Sequence, residues 1–255
     1  MANKGFEIHG KKVRLLYLDN FYESSKCEQA QKLFGSILNW KILGYRSRYE
    51  ASFIPVDQSD YFSRHYVFCF EESDGSLSPF SGQRYISLNR CLEYNSLFPL
   101  LSTVKSSACE KNLSFINHRI DDHIERKVDM IYPSGYTLNR NLSGQKEFSS
   151  FGAETTAAIH YFEKEMNPES SFITASVVRF KTYRLLRDVG HQFSTWDGEE
   201  LPSFSKRQAG NEELKLMHLN KLTRWTVECY DKLEQLFDNA LIVKRNVSER
   251  VDRAA

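Results

Sequence analysis

The side chains of this chain best placed to do chemistry lie between residues 55 and 98. Two aspartates three positions apart are followed there by an arginine inside an apolar strand. The run reads Pro55-Val-Asp57-Gln-Ser-Asp60, then Arg64-His65-Tyr66-Val67-Phe68-Cys69-Phe70. Beyond Ser73-Asp74-Gly75-Ser76 come Gly82-Gln83-Arg84-Tyr85-Ile86 and then Leu97-Phe98-Pro99. A charge buried in a sheet is costly unless it is paired, so an aspartate pair entering one strand and an arginine in the next mark a candidate site. Asp57 and Asp60 can orient an amine-bearing substrate or hold Arg84 by charge-assisted bonds; failing that, they are exposed carboxylates capping a loop-to-strand junction.

The elements that must position these residues follow from spacing. Val13–Leu18 reads as a first strand. A helix over 24–38 is expected, with Ser24 or Ser25 and Glu28 as a capping box and Ala30, Phe34 and Ile37 on one face. A loop from Trp40 to Tyr61 follows. His65–Glu71 and Gln83–Leu88 pair as a hairpin around Asp74-Gly75. Ser114–Ile120 is read as a strand, 121–146 as a loop with a short strand near 128–132, and Phe148–Met166 as a helix ending before Asn167-Pro168. Ser171–Val178 is a strand apolar on both faces, followed by a helix over 179–189 capped by Gly190, and by a short strand at His191–Trp196. Glu212–Phe237 is expected to be helical, and 246–255 frayed.

This order resembles the acyl-homoserine-lactone synthases (LuxI-type autoinducer synthases) and the N-acyl amino acid synthases, which share the GNAT acyltransferase fold. Their acidic motif E-x-D-x-x-D matches Asp57 and Asp60, their strand arginine in G-x-R-L matches Arg84, and their phenylalanine matches Phe98. Their E-x-x-R motif matches Arg119 in Ile116-Asn-His-Arg119, and the tryptophan after the first helix matches Trp40. Both glutamates of the family pattern are replaced, by Pro55 and Ile116.

The resemblance implies an α/β (α+β) fold with a central mixed sheet flanked by helices: a GNAT-like domain over 1–210 and a helical extension over 211–255 packed on it. It implies Asp57, Asp60, Arg84 and Arg119 as catalytic residues and Trp40, Phe98, Glu50 and His118 around the substrate. It further implies transfer of a fatty acyl group from an acyl-carrier-protein or coenzyme A thioester to a small amine, such as an amino acid or S-adenosylmethionine, with no tightly bound cofactor. With the glutamates replaced, Asp57, Glu50 or His118 would have to supply a base. The alternative is a non-catalytic binding or regulatory protein that kept the scaffold. An acyltransferase would need a cleft between 114–120 and 171–178, with Arg119, Arg126, Lys127, Arg179 and Lys181 forming a basic rim for an acidic carrier protein or a phosphate.

Composition narrows the remaining classes. The 255 residues are 41% hydrophobic, enough for a full core, and the formal net charge is +1, which gives no long-range field for nucleic acid or an anionic membrane. The five cysteines form no C-x-x-C pair, which fits reduced thiols and a cytoplasmic location, and no apolar run reaches membrane-spanning length. His118 and His123 flank Asp121 and Asp122 without any zinc-site spacing, so no metal is expected. Cys69 and Cys91 read as packing residues, and P-loop, G-x-G-x-x-G and G-x-S-x-G motifs are absent.

Overall fold

The computed structural model describes residues 6–46, 49, 55–107, 109–139, 141–142, 144–206 and 212–243. The strands are β1 (Glu7–Ile8), β2 (Lys11–Asp19), β3 (Arg64–Glu71), β4 (Leu77–Ser87), β5 (Met130–Leu138), β6 (Ser171–Val177), β7 (His191–Phe193), β8 (Thr195–Trp196), β9 (Glu199–Glu200), β10 (Phe204–Lys206), β11 (Glu212–Leu219) and β12 (Leu241–Val243). The helices are α1 (Phe21–Ser24), α2 (Glu28–Arg46), α3 (Leu88–Glu93), α4 (Pro99–Lys105), α5 (Glu110–Arg126), α6 (Lys146–Met166), α7 (Thr182–Val189) and α8 (Arg224–Asp238). One mixed sheet runs in the order β1-β2-β3-β4-β5-β6-β11-β10, with β12 on β2 and β7 on β11; β8 and β9 form a separate hairpin.

Side-chain alternation divides the core between the two faces of the sheet. Val13, Leu15 and Tyr17 of β2 and Tyr66, Phe68 and Phe70 of β3 pack against Phe148, Phe151 and Ala158 of α6 and Leu233 and Phe237 of α8. Leu16, Leu18, Val67 and Cys69 point the other way, onto Ala30, Phe34 and Ile37 of α2. Farther along, Ile86, Met130, Ile173 and Leu214 pack with α3, α4 and α5 through Cys91, Leu100, Phe115 and Ile116. The α6 layer is pinned by a buried ion pair: Arg64 Nε lies 2.7 Å from Glu163 Oε1, which also accepts from the Tyr66 hydroxyl at 2.6 Å.

The expected strands at 13–18, 65–71, 83–88 and 171–178 are present. β3 and β4 pair antiparallel from Arg64↔Tyr85 to Glu71↔Leu77. Gly75 supplies the positive φ (+79°) that their turn requires.

Three expectations are corrected. The segment 114–120 is not a strand but the middle of α5: Asn112, Phe115, Ile116 and His123 form a buried face at helical spacing, and this longer periodicity overrides the short apolar run. Glu212–Leu219 is a strand rather than the start of a helix, pairing antiparallel with β6, with Leu214 and Leu216 inward and Glu213 outward. The first helix begins at Glu28 and continues to Arg46, so Trp40 stands on α2 and not in a loop. The segment 246–255 lies outside the described residues. Among the described residues no helix is long and apolar enough to cross a membrane.

The feature that positions the site is a split in the sheet. β5 and β6 are parallel and pair only at Met130↔Ser171 and Ile131↔Phe172, although they run on to Leu138 and Val177. On its other edge β5 carries a bulge, because Gly82 faces Thr137 but Arg84 faces Ser134, leaving one extra residue in β5. Gly135 lies in that interval with φ +66°, a conformation that strains any residue with a Cβ.

Burial pushes His65 and His160 down to about 4, and His191 well below its ordinary value. Between the unfolded value near 6.5 and these folded values only the unfolded chain takes up the protons, so stability is full above about pH 6.5 and is lost as pH falls. Unfolding free energies from urea titrations near pH 7 and near pH 4.5 should differ by about 2–3 kcal/mol for His65 and again for His160. A flat profile over that range would show that these rings are not held neutral.

Candidate active site

Asp57 caps a short 3-10 turn, Gln58–Tyr61, and Asp60 is its third residue; the two close it reciprocally. The Asp57 carboxylate accepts from the Ser59 amide at 2.9 Å and from the Ser59 hydroxyl, while Asp60 Oδ2 accepts from the Asp57 amide at 3.0 Å. The turn delivers both carboxylates to Arg84 on β4. Asp57 binds the guanidinium through two oxygens, Nη2–Oδ2 at 2.9 Å and Nη1–Oδ1 at 3.2 Å, and Asp60 Oδ1 lies 2.8 Å from Nη1. Arg84 Nε then donates to Ser134 Oγ of β5 at 3.1 Å, so the arginine joins the acidic turn to the bulged strand.

A further member comes from α2. Lys41 is 3% exposed, and its ammonium lies 2.6 Å from Asp60 Oδ1. The cluster thus holds two cations and two carboxylates. Burial opposes the charge on Asp60, but Arg84 and Lys41 outweigh it and hold the carboxyl below the usual carboxylate range; Asp57 is likewise held low by Arg84. Lys41 is lowered to about 8 by burial and by the neighbouring Arg84, against the pull of Asp60. His65 Nε2–H donates to the Asp60 carbonyl at 2.7 Å and closes the cluster from β3.

Above this cluster a cavity of about 240 Å³ opens where β5 and β6 separate. One wall is β5 from Tyr132 to Leu138 and the opposite wall is Thr174, Ala175 and Val177 of β6. Tyr45 of α2 lines it from one face of the sheet, and Thr156 and His160 of α6 line it as well. Thr174 Oγ1 donates to the Pro133 carbonyl at 2.9 Å, bridging the strands beyond the end of their backbone pairing. His160 Nδ1 lies 2.8 Å from the Thr156 carbonyl, which can only accept, so Nδ1 carries the proton and Nε2 the lone pair. At the rim, Arg179 is ion-paired with Glu212, and its guanidinium lies over Phe180 at 4.5 Å.

The structure brings Asp57, Asp60 and Arg84 together as the spacing anticipates. Phe98 is buried at the start of α4, its ring 6.0 Å from Tyr132, a cavity residue. Trp40 packs with the α2 core, its ring edge beside Gly82. Arg119 and His118 are placed differently from expectation. Both lie on α5; the Arg119 carbonyl caps His123 Nδ1 at 2.6 Å, and the exposed His118 ring rests on Trp196 at 4.9 Å. The helical periodicity of 110–126 removes both from a strand beside the cleft, and the cleft itself lies between β5 and β6 rather than beside 114–120. Arg126 pairs with Asp122 at the end of the same helix. Glu50 lies outside the described residues. Lys41 is not a site residue by sequence pattern because it falls past the end of the expected helix, 24–38. Its one local sign was a lysine one position after Trp40, in line with the Ala30–Phe34–Ile37 stripe.

No protein-family model and no curated protein matches this chain. Among solved structures it is similar in chain fold to the AHL synthase LasI, at 13% identity over 91% of this chain and 97% of that one, with a TM-score of 0.49. It is also similar to FeeM, an N-acyl amino acid synthase from uncultured soil microbes, at 10% identity over 84% and 93%, with a TM-score of 0.46. A polyamine N-acetyltransferase from Drosophila melanogaster is similar at 9% identity over 82% and 100%, with a TM-score of 0.45. The chain itself has an α/β architecture, a central mixed sheet with helices on both faces.

The cluster makes a stability prediction that separates its two carboxylates. The Asp60 side chain is fully buried between two cations, whereas that of Asp57 is 48% exposed. Asp60→Asn should cost about 3–5 kcal/mol, the usual penalty for breaking a buried ion pair. Asp57→Asn, screened by solvent, should cost about 1 kcal/mol. Equal shifts in denaturation midpoint would show that Asp60 is not the hub.

Proposed function

We propose that this chain is an N-acyltransferase that passes an acyl group from a carrier-protein or coenzyme A thioester to a small amine. The observation that carries the reading is the split between β5 and β6, with its bulge at Gly135 and the cavity that fills the gap. Two parallel strands that separate after two paired residues leave backbone polar groups along the opening. Such groups are suited to receive a thioester carbonyl and to donate to the oxyanion that develops on it.

The reaction asks little else of the walls. The amine nitrogen attacks the thioester carbon and forms the C–N bond; the C–S bond then breaks, the sulfur leaves as a thiol, and the nitrogen gives up a proton. The Ser134 hydroxyl accepts from Arg84 and keeps its proton for the acyl oxygen, while those of Thr156 and Thr174 donate to backbone carbonyls and keep lone pairs that can accept from the amine. His160 is kept neutral by burial, so it suits a hydrogen bond to an uncharged amine better than uptake of its proton. Asp57 is committed to Arg84, and its role in this reading is to scaffold β5 rather than to act as a base. Arg179 and Lys181, beside the cavity rim, support an anionic donor such as an acidic carrier protein or a phosphate-bearing cofactor.

The test is to mix the purified protein with acyl-carrier-protein and acyl-coenzyme A thioesters and a panel of small amines, following thiol release and amide formation. Release should require both substrates, and the preferred thioester identifies the donor. Replacing Val177, a half-buried residue that lines the opening, by Phe should abolish turnover while leaving the melting temperature within a few degrees. Absence of release with every pair would leave the binding-protein reading in its place.

A further inference from the structure

We infer that Lys41 is a positioning residue of the acyl-transfer cleft, acting through Asp60, Arg84 and Ser134 on the bulged strand β5; the inference rests on the acyltransferase reading. Lysine is rarely buried unless paired, and Lys41 is buried at the end of a helix that runs two turns beyond its expected stop. Its ammonium reaches Asp60 Oδ1, the same oxygen that receives Arg84 Nη1. Arg84 in turn holds Ser134, and both Ser134 and Gly135 line the cavity.

The bulge also rests directly on both cations' stems. A Cβ added at Gly135 would lie 3.3 Å from Arg84 Cγ and 3.5 Å from Lys41 Cε. One turn farther along α2, Gly44 lets the helix close on Thr137 of the same strand, where any Cβ would collide with the threonine methyl. Lys41 and Gly44 therefore dock the end of α2 against the part of β5 that faces the cleft, and Tyr45 follows onto the cavity wall. A displacement of this strand moves the backbone groups that would meet the thioester carbonyl, and sub-ångström placement matters there.

The cluster has a pH dependence that a purely apolar support would lack. The charged and titratable groups facing Lys41 are Asp57 and Asp60 from the 3-10 turn, Arg84 from β4 and His65 from β3; Tyr45 lies on its own helix, and Tyr132 of β5 faces Arg84. Arg84 stays charged at every working pH, the two aspartates stay ionised, and His65 stays neutral. Lys41, lowered to about 8, is the member that changes charge near physiological pH.

The experiment compares wild type with Lys41→Met and Lys41→Arg in the full chain. Steady-state turnover with an acyl thioester is followed from about pH 6.5 to pH 9.5, alongside hydrogen exchange of the peptide spanning 130–138. Lys41→Met should lower kcat about tenfold or more with little change in KM for the thioester, and should speed exchange in that peptide. Lys41→Arg should restore most of kcat and of the protection, and should remove an alkaline limb near pH 8 from the kcat profile. A kcat in Lys41→Met within twofold of wild type, unchanged exchange, or an alkaline limb that persists in Lys41→Arg would each overturn the inference. Should Lys41→Met fail to fold, the Lys41→Arg profile decides alone. Failure of the acyltransferase reading is distinguishable, because wild type would then release no thiol while exchange in 130–138 still responded to Lys41→Met.

Discussion

Asp60 meets the most demanding electrostatic constraint in this molecule. A carboxylate with no solvent exposure must be surrounded by donors and cations, and every group that answers it comes from a different element. Arg84 arrives from β4, Lys41 from α2, the Asp57 amide from its own turn, while the Asp60 carbonyl takes His65 from β3. The contacts of Lys41 and Arg84 join the acidic turn to α2 and β4, so the cluster reports on the tertiary fold. Removing Arg84 or Lys41 takes positive charge from a buried carboxylate, and this makes the cluster a device for specifying one arrangement of α2, β4 and β5 as much as a source of stability.

That arrangement matters because of what stands next to it. A parallel pair that ceases to pair after two residues would ordinarily be a defect, since it exposes backbone groups inside the protein. Here the opening is supported on both sides. The ion cluster and the Arg84–Ser134 bond hold β5 from its β4 edge, and Thr174 spans the gap to Pro133. The buried Arg64–Glu163–Tyr66 group anchors α6, whose Thr156 and His160 form part of the cavity wall. Around these polar groups the β2–β3 half of the molecule adds aromatic and aliphatic packing on both faces of the sheet.

Much of this was legible from residue order. The hairpin of β3 and β4 announced itself through two aromatic, β-branched runs around Asp74-Gly75, and the pairing of Arg84 with the aspartates followed from the cost of burying a guanidinium alone. The errors arose where a short window carried two periods at once. Ser114–Ile120 holds three apolar residues in seven and passes for a strand, but Asn112, Phe115, Ile116 and His123 repeat at helical spacing once seventeen residues are considered. Glu212–Leu219 shows the reverse: its Leu214-x-Leu216 alternation was absorbed into the helical pattern of Arg224–Asp238 downstream. Because α5 carries Arg119 and His118, both stand away from the cleft between β5 and β6.

By itself the sequence determined the mixed α/β class, the hairpin that carries Arg84, the helix over 148–166 and the partnership of Asp57, Asp60 and Arg84. These follow from local periodicity, turn chemistry and the prohibition on unpaired buried charge, all of which act over short stretches or are demanded by residue type. Only the tertiary structure decided that α2 continues to Arg46 and buries Lys41, that β5 bulges at Gly135, and that β5 and β6 part after Ile131 and Phe172. The physical reason is range. A lysine one residue past a tryptophan is solvated on an isolated helix, and it becomes a buried cation only because Asp60, nineteen residues away in the chain, is folded against it.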